Sequence, residues 1–263
     1  MNIETSGRTR LRRTLNKVPE VTVYFWIIKI LATTVGETAA DFLNDSLGLG
    51  LTGTTLIMCG VLVIALYYQF KLRQYVPWVY WLAVVLISVV GTLITDNLVD
   101  NFGVALETTT VAFSIALAAA FVIWYAYERT LSIHTIVTTR REAFYWLAVL
   151  FTFALGTAAG DLASESLELG YWRSVLMFGG LIAVVFVAWR FFRIDAILAF
   201  WLAYILTRPL GASIGDYLAQ PTDGDGLGLG TTGTSAVFLA VISSLVVYLT
   251  LTKKDQTGVS PAG

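Results

Sequence analysis

Long apolar stretches separated by short polar segments dominate this chain, at about 22–41, 51–70, 76–96, 108–127, 143–161, 172–190, 196–217 and 232–252. Each is close to the roughly 17–25 residues that a helix needs to cross hydrocarbon. The pattern therefore predicts eight transmembrane helices. No segment between them is large enough to be a soluble domain.

Inside these stretches a sparse set of positions recurs. Trp26-Gly36-Asp41, Trp81-Gly91-Asp96, Trp146-Gly156-Asp161 and Trp201-Gly211-Asp216 all have Gly ten residues after Trp and Asp five after Gly. The successive tryptophans lie 55, 65 and 55 residues apart, and each follows an aromatic residue: Phe25, Tyr80, Tyr145 or Phe200. This is a fourfold internal repeat with two spans per unit. The predicted fold is an all-α, polytopic integral membrane protein with pseudo-fourfold symmetry. Residues 1–20 form a basic tail, 21–252 a single membrane domain with repeats at about 22–70, 76–127, 143–190 and 196–252, and 253–263 a second tail.

Composition agrees: 57% of residues are apolar, 13% are charged, and the mean hydropathy is +0.74. The lone Cys59 rules out a disulfide framework. Charge fixes the orientation. Of 17 Lys and Arg, 14 lie in the two tails and in the three connections between repeats, which places those segments in the cytoplasm. The opposite loops carry Asp45, Asp100, Glu107, Glu165, Glu168, Asp223 and Asp225. The basic N-terminal stretch reads as a retained cytoplasmic tail rather than a signal peptide. Aromatics where the even spans end, Tyr67, Tyr68, Trp124, Tyr125, Trp189 and Tyr248, read as an interfacial belt. Gly-Leu phrases at 47–50, 167–170 and 227–230 read as outer turns.

Every repeat starts on the same side, so the units are related by an axis along the membrane normal, unlike inverted-repeat transporters. Equivalent residues then form rings about a shared centre. A ring of Trp26, Trp81, Trp146 and Trp201 is expected near the cytoplasm, either as a gate or as an interfacial belt. A ring of Asp41, Asp96, Asp161 and Asp216 is expected about 22 Å further out. Carboxylates at a pore mouth attract cations, and four close together need a counter-charge or a shared proton. The alternative for each Asp is a simple helix-end cap.

Repeats one and four depart from the template. Glu37 lies one turn before Asp41, and Lys29 two turns before Glu37, so the three share a helix face. Glu37 is read as a ligand or proton carrier, while Lys29 either snorkels to the interface or serves as a counter-charge. Arg208 needs an acidic partner, with Asp216 or Glu37 as candidates. Pro209 after it predicts a kink in the seventh span, and broken helices at mid-membrane often frame ion sites. The template glycines read as helix-packing positions.

No thiolate or imidazole set exists for zinc, copper, haem or iron-sulfur, since the only histidine is His134. No cofactor and no enzymatic role are expected. Any bound metal would be a hard, oxygen-liking ion such as Mn, Mg or Ca, with Glu37, Asp41 and Asp216 as its ligands.

KVPEVTVYFW, TTVGETAAD and the three echoes of that template resemble a family of bacterial membrane proteins known as a repeat of unknown function. The resemblance covers about residues 20–252 and implies a multi-pass protein of the bacterial cytoplasmic membrane. A looser likeness is to manganese and calcium exporters, which follow the acidic residue with a basic residue and Thr or Ser, where this chain has Phe42 and Leu162. The expected function is cation transport or conduction, specifically proton-coupled export of a divalent metal, with manganese the favoured ion. The alternative is a sensor or scaffold held together by a buried charge network. Membrane lipid and a small cation are the expected partners, nucleic acid is not, and a homo-oligomer stays open.

Overall fold

Odd and even spans differ in what they must hide. The odd spans carry the Lys, Arg, Glu and Asp of the template, which are costly against lipid and belong in a protein interior. The even spans are nearly all apolar and can face hydrocarbon. The computed structural model, which describes residues 16–47, 50–222 and 226–256, follows this division. Its helices are α1 (Val23–Leu47), α2 (Gly50–Lys71), α3 (Pro77–Asp96), α4 (Leu106–Glu128), α5 (Thr139–Asp161), α6 (Tyr171–Phe192), α7 (Ala196–Ala219) and α8 (Thr231–Thr252). All eight are long and apolar enough to cross a membrane, and 56–78% of each odd span is buried against 6–28% of each even one.

The odd helices form a closed inner square in which α1 and α5 each pack on both α3 and α7. Each even helix packs chiefly on the odd helix of the following repeat: α2 on α3, α4 on α5, α6 on α7, and α8 back on α1. The fourth repeat thereby clasps the first, and the sequence order becomes a ring.

The template glycines make the square possible. A Cβ added at Gly36, Gly91, Gly156 or Gly211 would lie 2.5, 2.7, 2.5 or 2.5 Å from the Cβ of Ser88, Phe153, Arg208 or Thr33. Each of those residues stands three positions before the glycine of the next repeat. One contact is thus repeated around the whole ring, as expected of glycines that let helix backbones approach closely.

A second ring is aromatic. The residue before each Trp packs on the Trp of the next repeat, with Phe25–Trp81, Tyr80–Trp146, Tyr145–Trp201 and Phe200–Trp26 ring centroids 5.6, 5.4, 6.2 and 5.7 Å apart. Trp81, Trp146 and Trp201 are buried and Trp26 is partly so. Their burial does not fit a lipid-facing belt: they are wedges between neighbouring repeats. Tyr67, Tyr68, Tyr125 and Trp189 are exposed as a belt requires, but Trp124 is buried, stacked on Phe144 and edge-on to Trp201.

The helix ends follow local chemistry. Pro77 opens α3, the Thr138 side chain accepts from Arg141 N–H, and Asp195 accepts from the N–H groups of Ile197 and Leu198. At the same end of the bundle, α4, α6 and α8 stop at Arg129, Arg193 and Lys253, each in a left-handed conformation. Each helix thus ends on a basic residue, where the helix dipole favours positive charge. Gly170, Gly228 and Gly230 take positive φ in the opposite turns, as their Gly-Leu phrases predict; Gly48 and Leu49 lie outside the described residues. α7 runs through Pro209 as one helix. Irregular turns fall elsewhere: α3 and α5 continue past Asp96 and Asp161 as π turns over Asn97–Asn101 and Leu162–Ser166.

Candidate ion-binding site

The inner square has an acidic end, where the odd helices finish, and a tail end, where both described chain termini lie. At the acidic end a cavity of about 210 Å³ is lined by Glu37, Asp41, Asp96, Asp161 and Asp216, with Asn44, Asp100 and Gln220 among its other walls. All four template aspartates thus gather around one space, as the repeat predicts. Their convergence is specific. Carboxylate oxygens of Glu37, Asp161 and Asp216 lie within 4.8 Å of one another. This corrects the expected trio: Asp161 joins Glu37 and Asp216, while Asp41 lines the cavity without belonging to the group. Asp41 and Asp161 sit at equivalent template positions on opposite sides of the square. Glu37 comes from Asp41's own helix, so the approach across the centre joins α1 to α5, with Asp216 supplied by α7, which packs on both.

Arg208 is tied to one wall of this cavity through Glu37. It is fully buried, and its guanidinium donates to Glu37 Oε2 at 2.9 Å, Thr33 O at 2.8 Å, Thr157 Oγ1 at 2.7 Å and Thr92 Oγ1. Glu37, Thr92 and Thr157 each follow the template glycine of their repeat. A third ring therefore exists, one position after Gly, and three of its four members hold the arginine supplied by the fourth repeat. Of the two partners expected for Arg208, the ion pair is with Glu37 across the bundle. Sequence reasoning missed the two threonines. Their signal was register: each stands four residues before its Asp, as Glu37 stands before Asp41.

Lys29 behaves differently from both expectations. It is fully buried, so it does not snorkel, and its Nζ has no hydrogen-bond partner among the described residues. The ammonium instead lies 3.9 Å from the centre of the Phe153 ring and 4.3 Å from that of Tyr204. Arg208 approaches the same Phe153 ring at 5.6 Å. Such contacts offset part of a buried cation's desolvation. Lys29 is not the counter-charge of Glu37.

Beyond Lys29 the bundle is filled. Phe25, Tyr80, Tyr145, Phe153 and Tyr204 are buried at the centre, and the hydroxyls of Tyr80 and Tyr145 bond to each other. Three layers follow one another along the axis: an acidic cavity, an arginine held by a glutamate and threonines, and an aromatic plug around a lysine.

Eight apolar helices around this charged interior define a multi-pass membrane protein built from four tandem units. The chain belongs to the family described as Repeat of Unknown Function (DUF347), whose model matches residues 24–75, 79–130, 144–195 and 199–255. The four matches coincide with the four helix pairs. Comparison with curated proteins and with solved structures gives no match.

Proposed function

We propose that the protein transports a small cation, most specifically a hard divalent metal such as manganese exported in exchange for protons, across the bacterial cytoplasmic membrane. The observation that carries this reading is the approach of the Glu37, Asp161 and Asp216 carboxylates to within 4.8 Å of one another at one cavity. An all-oxygen, carboxylate-rich donor set suits Mn, Mg or Ca rather than softer metals. Arg208 gives the site an internal competitor. A cation that binds Glu37 must share or displace the guanidinium already there, and a proton on Glu37 would release it in the same way. That competition couples cation and proton at a single carboxylate. The basic tails and repeat connections orient the acidic cavity outward and both termini inward. With the tail end filled by aromatic rings, the cavity is reached from one side at a time, which favours a transporter over an open channel.

The test is cation flux in sealed vesicles. Glu37→Gln, Asp161→Asn and Asp216→Asn should each reduce Mn²⁺ flux and its dependence on a proton gradient, while the exposed Glu107→Gln should not. Wild-type flux in all three site variants, for every cation tried, would remove this reading.

One observation favours a sensor or scaffold instead: Arg208 already bonds to Thr33, Glu37, Thr92 and Thr157, so every repeat contributes to one closed network. On that reading the same variants lower stability and leave flux untouched.

A further inference from the structure

At the tail end a short extended segment crosses the bundle mouth. We propose that residues 16–22 are a latch over this mouth, with Lys17 as its bolt and Glu142 as the catch, and that the latch withdraws without unfolding the helices. Its role as the inner gate rests on the transport reading above.

The segment has no helix or strand of its own before α1 begins, yet residues 16–19 are buried. Lys17 Nζ reaches Glu142 Oε2 at 2.6 Å and Phe70 O at 3.0 Å, and Gln69 donates to the other Glu142 oxygen at 3.1 Å. Lys17 and Glu142 are only 6% and 1% exposed. Three separate pieces of chain are tied by this one strap. Lys17 N–H donates to Ile136 O, Tyr75 N–H donates to Asn16 O, and Glu20 N–H donates to Asp255 O, at 3.0, 3.1 and 2.9 Å. The Asn16 side chain accepts from Ile136 N–H at 3.1 Å. The connection between repeats one and two, the connection between repeats two and three, and the C-terminal segment are therefore all bound to it.

Its position is what gives it a role. Tyr75, under the strap, packs edge-on to Tyr80 with centroids 5.6 Å apart, and Tyr80 belongs to the aromatic plug. Val18, beside Lys17, is part of the same core cluster. A path through the plug would emerge beneath the strap. Its fastening also suits release. A buried ion pair regains hydration when it separates, which offsets much of the lost attraction, and a segment held by a few hydrogen bonds can open locally while the bundle stays folded. A permanent seal would need neither a buried lysine nor a buried glutamate.

The experiment uses the full-length protein in detergent, with Cys59→Ala to remove the native thiol and Ile136→Cys as reporter, because Ile136 is fully buried under the strap. A water-soluble maleimide then reads opening. Lys17→Met should speed labelling on the order of tenfold or more. The charge swap Lys17→Glu with Glu142→Lys should bring it back toward the slow rate. Unchanged labelling in Lys17→Met would overturn the latch whatever happens to flux. Should that variant fail to fold, hydrogen exchange on the unmutated chain decides: the amides of Lys17 and Tyr75 should exchange together and faster than the interior of α5, and exchange as slow as that of α5 would overturn the latch. If labelling responds as expected but Glu37→Gln, Asp161→Asn and Asp216→Asn all leave flux unaltered for every cation tried, the latch stands and the transport reading falls.

Discussion

The two ends of the inner square are built from the same four helices with the same symmetry, yet one end keeps a cavity and the other is filled. At the tail end, equivalent positions carry paired rings, Phe25 with Trp81, Tyr80 with Trp146, Tyr145 with Trp201 and Phe200 with Trp26. Large planar groups interdigitate and gain contact as they close. At the acidic end, equivalent positions carry aspartate. Like charges gain nothing by closing and must keep water, a proton or a cation near them. Symmetry sets where the two layers fall; side-chain chemistry decides which of them shuts. Arg208, held between the layers, is the boundary.

The largest effect should come from breaking that boundary. Arg208→Met would leave the buried Glu37 without its ion-pair partner, and removing one member of a buried pair costs about 3–5 kcal/mol. Thermal or denaturant unfolding in detergent should register this loss. Adding Glu37→Gln should recover most of it, because the stranded charge is then gone. If Arg208→Met is no worse than Val63→Ala on the lipid face, the central network holds nothing together.

The helix contacts below it should respond next. Gly211→Ala places a methyl group against Thr33 and within 3.1 Å of the Thr34 backbone nitrogen. Overpacking of this kind costs about 1–3 kcal/mol. Gly60 and Gly179 sit in even helices with no atom within 4 Å of an added Cβ. Their alanine variants should be neutral or should gain up to about 1 kcal/mol from helix propensity. Equal costs at Gly211 and Gly179 would dissolve the distinction between inner and outer helices.

At the acidic end the comparison can be sharpened by separating Asp161 from Asp41. Calorimetric titration with Mn²⁺ should show Asp161→Asn weakening binding about tenfold or more, equivalent to about 1.4 kcal/mol, and Asp41→Asn weakening it less. The opposite ranking would restore the trio that the helix face of α1 suggests.

That ranking also shows where the sequence was readable. Long apolar stretches carried the spans, and Trp, Gly and Asp at fixed spacing carried the fourfold repeat, the shared orientation and the gathering of the aspartates, because each is a property of one unit copied four times. Contacts between copies were harder to see. Whether Asp41 or Asp161 meets Glu37 depends on how α1 and α5 approach across the centre, and no spacing within a repeat encodes that. Lys29 looked like a partner for Glu37 because they share a face, but a neighbour's Phe153 and Tyr204 enclose it first. Pro209 read as a kink; α7 runs through it as one helix, packed closely against Gly156 and Gly160. The latch was invisible because Asn16 and Lys17 belong to a segment with no periodicity.

The smallest effect expected is at the rim of the closed end. Asp255 accepts from Tyr75 Oη at 2.5 Å, and burial raises its carboxyl above the usual carboxylate range, a shift that the tyrosine bond partly opposes. Lys254 is directed to Tyr248 instead, and the Glu20 amide meets the Asp255 backbone rather than its carboxylate. Because the folded pKa is the higher one, the folded chain binds more protons than the unfolded chain between the two values. The stability this group contributes is therefore complete below the ordinary carboxylate value of about 4 and is lost as pH rises through the folded value. Protection of the Glu20 amide against hydrogen exchange, corrected for the intrinsic rate, should fall across that window, and Asp255→Asn should flatten the dependence. Protection that instead rises with pH would mean the carboxylate, not the acid, is the form that ties the C-terminal segment down, and the closed end would then depend on charge as much as the open one does.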